Sequence, residues 1–208
     1  MVKRLTRAQA QAQTRERLLE AAAQVFTRHG FEGASVDEVV EAAGLSKGAV
    51  YANFVSKEEL FLAVLDECLS EQERTLRDIF TRETTLEARI AAIGRWSPGL
   101  VHGQKEWRLL ATEFWLHAAR HPEIQEQLAE RYRIQRADIA HMLDQQYQEL
   151  GCEAPAPTEH LAAAVLALSN GLAMQKITDS EAFPDSLYAT TLTLLLRVDK
   201  NREQRASL

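Results

Sequence analysis

Cysteine is nearly absent. Cys68 and Cys152 lie far apart, with no CxxC and no Cys/His spacing around either. That excludes a disulfide framework and a zinc site and leaves two ordinary thiols. Long apolar runs are missing as well: no stretch approaches the length of a bilayer-crossing helix, and the leading MVKRLTRAQAQ has no apolar signal core. The chain therefore reads as cytoplasmic, with no membrane partner. A nucleophile–base pair, a phosphate loop and a metal cluster at recognisable spacing are also lacking, so neither an enzyme nor a cofactor is expected. Glu113, His117 and His121 do follow a helical i, i+4, i+8 ladder. His121 abuts Pro122 at a helix junction, however, and no further ligand accompanies the three, so no metal site is expected there.

Net positive charge is missing too. The 208 residues carry a formal charge of −6, which at first argues against a nucleic-acid partner, since phosphates need lysine and arginine. The distribution reverses that argument. Residues 1–17 hold five bases (Lys3, Arg4, Arg7, Arg15, Arg17) against Glu16 alone, and residues 1–60 hold eight bases against eight acids. The whole deficit falls on the remainder, giving a basic leader and a neutral head on an acidic body.

Helix signals fill the chain, and 46% hydrophobic residues are ample for a core. SVDEVVEAAGLSKGAVYANF, residues 35–54, reads as two short helices joined by a glycine turn. Ser35 and Glu38 form a capping box, Val36, Val39, Val40 and Ala43 supply an apolar stripe, and Gly44 sits where a left-handed residue ends a helix. Ser46 caps the second helix, and Val50 and Phe54 bury an i, i+4 pair. Lys47, Gly48, Ala49, Tyr51, Ala52 and Asn53 then face outward. Small residues at the start of such a helix permit close approach to base edges, which is the geometry of a helix-turn-helix whose second helix enters the DNA major groove. A helix over 6–28 stopped by Gly30 precedes this pair. After it, Ser56-Lys57-Glu58-Glu59 opens a long helix to about Phe80. Further helices are expected from Thr84 toward Trp96, over 104–120, from Pro122 to Gly151, and over about 158–177 and 184–198. The last two have apolar faces wider than one core needs. Leu161, Val165, Leu168 and Leu172 with Leu187, Thr191, Leu194 and Leu195 are the expected interface.

GLSKGAVYANFVSKEELF resembles the recognition-helix signature of the tetracycline-repressor-type (TetR) family of bacterial transcription regulators. In that family a Gly-x-Ser-x-Gly-x-x-Tyr-x-x-Phe pattern runs into Ser-Lys-Glu-Glu-Leu. Gly44, Ser46, Gly48, Tyr51, Phe54 and Ser56 to Leu60 all fall in place, as do Phe26, Gly30, Phe31, Ser35, Val36, Val39, Ala42 and Ala43 ahead of them. The likeness covers about residues 14–65. Asn53 stands where the family usually has histidine or tyrosine, and Asp37 where a base is common.

The resemblance implies an all-α protein: an N-terminal three-helix helix-turn-helix DNA-binding domain with its basic arm over 1–56, a connecting helix over 57–80, a helical ligand-binding and dimerisation domain over 81–200, and a tail over 201–208. Ser46, Lys47, Gly48 and Ala49 are expected to face base edges, Ser35, Tyr51, Asn53 and Lys57 to hold phosphates, and Arg4 and Arg7 to extend the arm along the minor groove. In the body, Trp96, Leu100, Trp107, Leu110 and Phe114 are expected to line an effector pocket together with His117, Tyr132, Leu168, Asn170 and Met174. The expected function is a homodimeric repressor released from a pseudo-palindromic operator by a small apolar or aromatic effector. The alternatives are control by a protein partner, or activation instead of repression.

Overall fold

The computed structural model describes residues 6–96, 105–179, 181, 183, 184 and 186–196. Arg4, Leu100 and the side chain of Arg7 lie outside the described residues. Among those described there are nine helices and no strand: α1 Arg7–Gly33, α2 Val36–Ala43, α3 Lys47–Tyr51, α4 Lys57–Arg82, α5 Leu86–Trp96, α6 Lys105–Ala118, α7 Pro122–Leu150, α8 Thr158–Thr178 and α9 Leu187–Leu196.

The local signals act as their chemistry requires. Thr6 and Gln9 exchange side-chain-to-backbone bonds of 2.9 and 3.2 Å at the start of α1. Ser56 and Glu59 cap α4, with Glu59 N–H on the serine hydroxyl at 3.1 Å and the Glu59 carboxylate accepting from Val55 N–H. Two boundaries differ from expectation. Gly30 kinks α1 instead of ending it, at φ 73° and ψ 174°, and one more turn follows to Gly33. Helix α3 stops at Tyr51 after five residues, short of Phe54.

Contacts divide the chain into two compact units, Met1–Ser70 with Glu106–Ala129, and Glu71–Lys105 with Glu130–Leu208. The division departs from the expected one: residues 57–70 of α4, nearly all of α6 and the start of α7 go with the helix-turn-helix, not with a connecting helix or the body. The reason is aromatic. In the first unit Phe26, Phe31, Phe54, Phe61 and Phe114 are all at most 1% exposed. Phe61 stacks on Phe114 at 4.1 Å, and Phe31 meets Phe114 edge-on at 4.9 Å. Fully burying a side chain of this size is worth roughly 1.5–3 kcal/mol, so α6 is held by its phenylalanine.

The second unit packs Leu86 and Ile90 of α5, Leu143 and Tyr147 of α7, Leu161 and Leu172 of α8, and Tyr188, Leu192 and Leu196 of α9 into one core. The Tyr147 hydroxyl donates to Leu196 O at 2.7 Å, and burial pushes this phenol up to about 12. Contrary to the expectation that no run is so apolar, α8 meets the length and mean hydropathy of a membrane span; only 22% of its apolar window is buried. One face of α8 enters the core through Leu161, Ala162, Leu172 and Ala173, and the opposite face presents Ala163, Ala167, Gly171 and Met174 to solvent.

Candidate nucleic-acid interface and cavity

The helix-turn-helix is built from caps outward. Glu38 N–H donates to Ser35 Oγ at 3.2 Å while Ser35 N–H donates to Glu38 Oε2 at 2.8 Å. The bonds from the Ser35 side chain and backbone hold the Glu38 carboxyl below its ordinary range. Gly44 ends α2 at φ 60°, and the Arg17 guanidinium donates to Ala43 O at 2.7 Å, covering an end carbonyl. Ser46 Oγ then accepts from Ala49 N–H at 3.2 Å and starts α3. Beneath it Val50 and Phe54 are 1% exposed, with the Arg15 guanidinium 4.5 Å from the Phe54 ring.

What remains on the outer face is Lys47, Gly48 and Tyr51, all exposed, with Ala49 half-buried. A Cβ built on Gly48 would meet only Ser46 Oγ, at 3.8 Å, so the fold leaves room for a methyl there. Lys47 Nζ lies 2.7 Å from Asp37 Oδ1, and that hydrogen bond, with the attraction of the charge, raises the ammonium above its usual value. Asp37, the departure from the family pattern, thus faces the exposed lysine of α3. Asn53 turns inward, donating from Nδ2 to Ala49 O at 2.8 Å.

Lys57, expected at a phosphate, is committed elsewhere. Its ammonium donates to Phe31 O at 2.9 Å, Ala34 O at 3.2 Å and Glu32 O at 3.4 Å, and sits 4.6 Å from the Phe31 ring. It caps the end of α1. Glu113 of α6 completes the same corner by accepting from Phe31 N–H at 2.8 Å, in the space left by Gly30, where a Cβ would come within 2.5 Å of its carboxylate. His117 places Nδ1 3.1 Å from Glu32 and Nε2 3.6 Å from Glu58, and His121 Nδ1 lies 2.7 Å from His117 O. The Glu113–His117–His121 ladder therefore points its side chains at three different tasks. Among the described residues no group of three or more such side chains is gathered for a metal.

A cavity lies in the second unit, enclosing roughly 800 Å³ with its open mouth included, between the second half of α4 and α5, α7, α8 and α9. Of the expected effector residues, Trp96 lines it. Trp107, Leu110, Phe114 and His117 instead pack in the first unit, Phe61 stacking on Trp107 at 6.1 Å. Tyr132 and Asn170 are half-buried, Leu168 packs against the second core and Met174 is 40% exposed; none of the four lines this cavity. Helical spacing showed that α6 is apolar but not which core it joins. The polar wall residues Gln72, Arg89 and Gln135 were missed; glutamine and arginine on amphipathic helices read as solvated faces.

The residues expected at the interface divide by burial. Leu161 and Leu172 are 4% and 9% exposed inside the chain's own core, with Val165, Leu168, Leu187 and Leu195 packed against it. Thr191 is half-buried, its hydroxyl donating to Leu187 O at 2.8 Å, and Leu194 remains 64% exposed.

A helix-turn-helix pair with an exposed outer face and an apolar cavity, all helical among the described residues, is the arrangement expected of a DNA-binding transcription regulator. The profile described as bacterial regulatory proteins, tetR family, matches residues 18–64, and that of the BetI-type transcriptional repressor C-terminal region matches 86–198. The chain belongs to the tetR family of bacterial regulators, with a BetI-type C-terminal region. It is similar to the transcriptional repressor AcnR of Corynebacterium efficiens, 40% identical over 31% of this chain and 35% of that protein. It is also similar to the transcriptional activator FasR of Mycolicibacterium smegmatis, 34% identical over 46% and 44%. These matches span less than half of either relative's length. A solved transcriptional regulator from Rhodococcus sp. Rha1 superposes with a TM-score of 0.66 and 28% identity over 87% of this chain and 92% of that one.

Proposed function

We propose that the protein is a homodimeric repressor that binds a pseudo-palindromic operator and is released when a small, largely apolar molecule occupies the cavity of its second unit. The observation that carries DNA reading is the outer face of α3: its apolar side is locked by Val50 and Phe54, while Gly48, Tyr51 and Lys47, the last paired with Asp37, are exposed on a capped helix. Repression is supported by the BetI-type repressor profile over 86–198. Activation is the second reading, favoured by the likeness to the activator FasR.

Dimerisation is supported by α8, whose outer face of Ala163, Ala167 and Gly171 is small, apolar and exposed on a helix with little buried area. Paired recognition helices must then sit about 34–36 Å apart to enter successive major grooves. The effector reading rests on the apolar cavity of the second unit.

Selection of bound duplexes from a random pool tests this reading, coupled to sedimentation of the wild type and Ala167→Glu. The expected result is an inverted-repeat consensus, a wild-type dimer and a monomeric variant with weakened operator binding. A single half-site bound by a monomer would overturn it. Transcription from a promoter carrying that operator separates repression from activation.

A further inference from the structure

The wall of the cavity narrows what can occupy it. Arg89 is the charged residue among those that line it, and its charge is already committed. The guanidinium, 6% exposed, donates from Nε to Glu83 O at 2.8 Å, from Nη2 to Phe80 O at 2.9 Å, and from Nη1 to Gln146 Oε1 and to Glu149 Oε2, the latter at 2.9 Å. It also lies over the Phe80 ring, 4.9 Å from the centroid. Four of its five N–H donors are taken, and Glu149 balances the charge. One N–H stays open, and an anionic ligand seeking a second, as a bidentate carboxylate or phosphate does, would have to displace Glu149 or strip a carbonyl, leaving a buried acceptor without its donor. A cationic ligand would meet the guanidinium and find no carboxylate among the described wall residues.

Among the described residues, two buried amide atoms in this unit have no partner: Gln135 Oε1, whose residue lines the cavity although the oxygen itself has no accessible surface, and Gln146 Nε2, on the residue that accepts from Arg89. Arg89 donates to Gln146 Oε1, so the NH2 end of that amide is the one left over. Gln135 turns its Nε2 toward Gln72 Oε1 at 3.5 Å, which leaves its oxygen as the open end. A buried acceptor without a donor is a standing cost in the ligand-free protein, and a hydroxyl or amide N–H from a ligand removes it.

We infer that the cavity takes an uncharged amphipathic molecule: an apolar body with one hydroxyl or amide head that donates to Gln135 Oε1 once that side chain, held only by the 3.5 Å contact to Gln72, turns into the cavity. This rests on the cavity being the effector site proposed above. It excludes free carboxylates, phosphates and amines as effectors.

The test is isothermal titration of the full chain with three ten-carbon probes, 1-decanol, decanoate and decylammonium, on the wild type and on Gln135→Leu, with thermal unfolding of both free proteins. Decanol is expected to bind roughly a hundredfold more tightly than either charged probe. Gln135→Leu should weaken decanol binding roughly three- to tenfold. The same change should raise the thermal midpoint of the free protein, because it removes the unpartnered oxygen; Gln135→Met should behave alike and guards against a packing fault peculiar to leucine. Decanoate or decylammonium binding as tightly as decanol overturns the inference and leaves the effector site standing. Decanol affinity unchanged in both variants overturns the role of Gln135. Silence from all three probes up to their solubility limits overturns the effector site itself, and this inference with it.

Discussion

Gly48 separates what α3 needs in order to fold from what it needs in order to read DNA. Its φ is not positive, and a Cβ there meets nothing closer than Ser46 Oγ at 3.8 Å. Gly48→Ala should therefore stabilise the free protein, by roughly 0.5–1 kcal/mol, the usual gain from alanine over glycine within a helix. The same methyl points out of the fold at the start of the recognition helix. If that surface meets base edges, it holds the helix off the groove and weakens contacts worth about 1–3 kcal/mol each, a loss of roughly five- to hundredfold in operator affinity. Thermal unfolding and fluorescence anisotropy on the selected operator read the two effects independently. Gly44→Ala is the internal contrast: at φ 60° it should cost about 1–2 kcal/mol of stability. A Gly48→Ala protein that binds its operator at wild-type affinity, or that unfolds earlier than the wild type, refutes the argument.

Other outcomes follow from the same geometry. Lys57→Ala should cost about 1–2 kcal/mol of stability through three uncapped carbonyls, while the salt dependence of operator binding stays unchanged; a slope shallower by about one would restore Lys57 to a phosphate. Asp37→Ala releases Lys47 and should raise affinity for random duplex DNA, steepening the salt slope by about one, so that discrimination falls; an unaltered slope would mean that the ion pair persists or does not matter. Tyr147→Phe should cost about 1 kcal/mol at neutral pH by orphaning Leu196 O. Because burial raises this phenol to about 12 in the folded chain, its neutral form contributes fully below the unfolded value near 10. That contribution is lost as pH rises through about 12, so the stability gap between wild type and Tyr147→Phe should shrink over that range. A gap that stays constant in denaturant melts up to pH 12 would contradict it.

Much of the fold was legible because its signals are local. Caps at Thr6, Ser35, Ser46 and Ser56 and the left-handed Gly44 act within one turn of chain, so residue type and spacing suffice to place α1 to α4. The family pattern is equally local, and the stretch from Gly44 to Leu60 carried it. Lys57 shows the limit: the same residue serves as a phosphate ligand or a helix cap according to whether the end of α1 lies within reach.

By itself, then, the sequence determined the helices, their caps and the kind of head the protein carries, since these depend on hydrogen bonds and apolar spacing over a few residues. The tertiary structure alone decided which apolar face meets which core. It sent Trp107, Phe114 and His117 of α6 to the reading head, and it committed Leu161 and Leu172 to the chain's own interior instead of a partner's. It also placed Arg89 and Gln135 among the residues that line the cavity. Such choices depend on contacts between segments tens of residues apart, and helical periodicity describes a face without naming its partner. Gly48 belongs to both levels: the motif marks the glycine, and only the empty space around its missing Cβ shows that the fold does not require it.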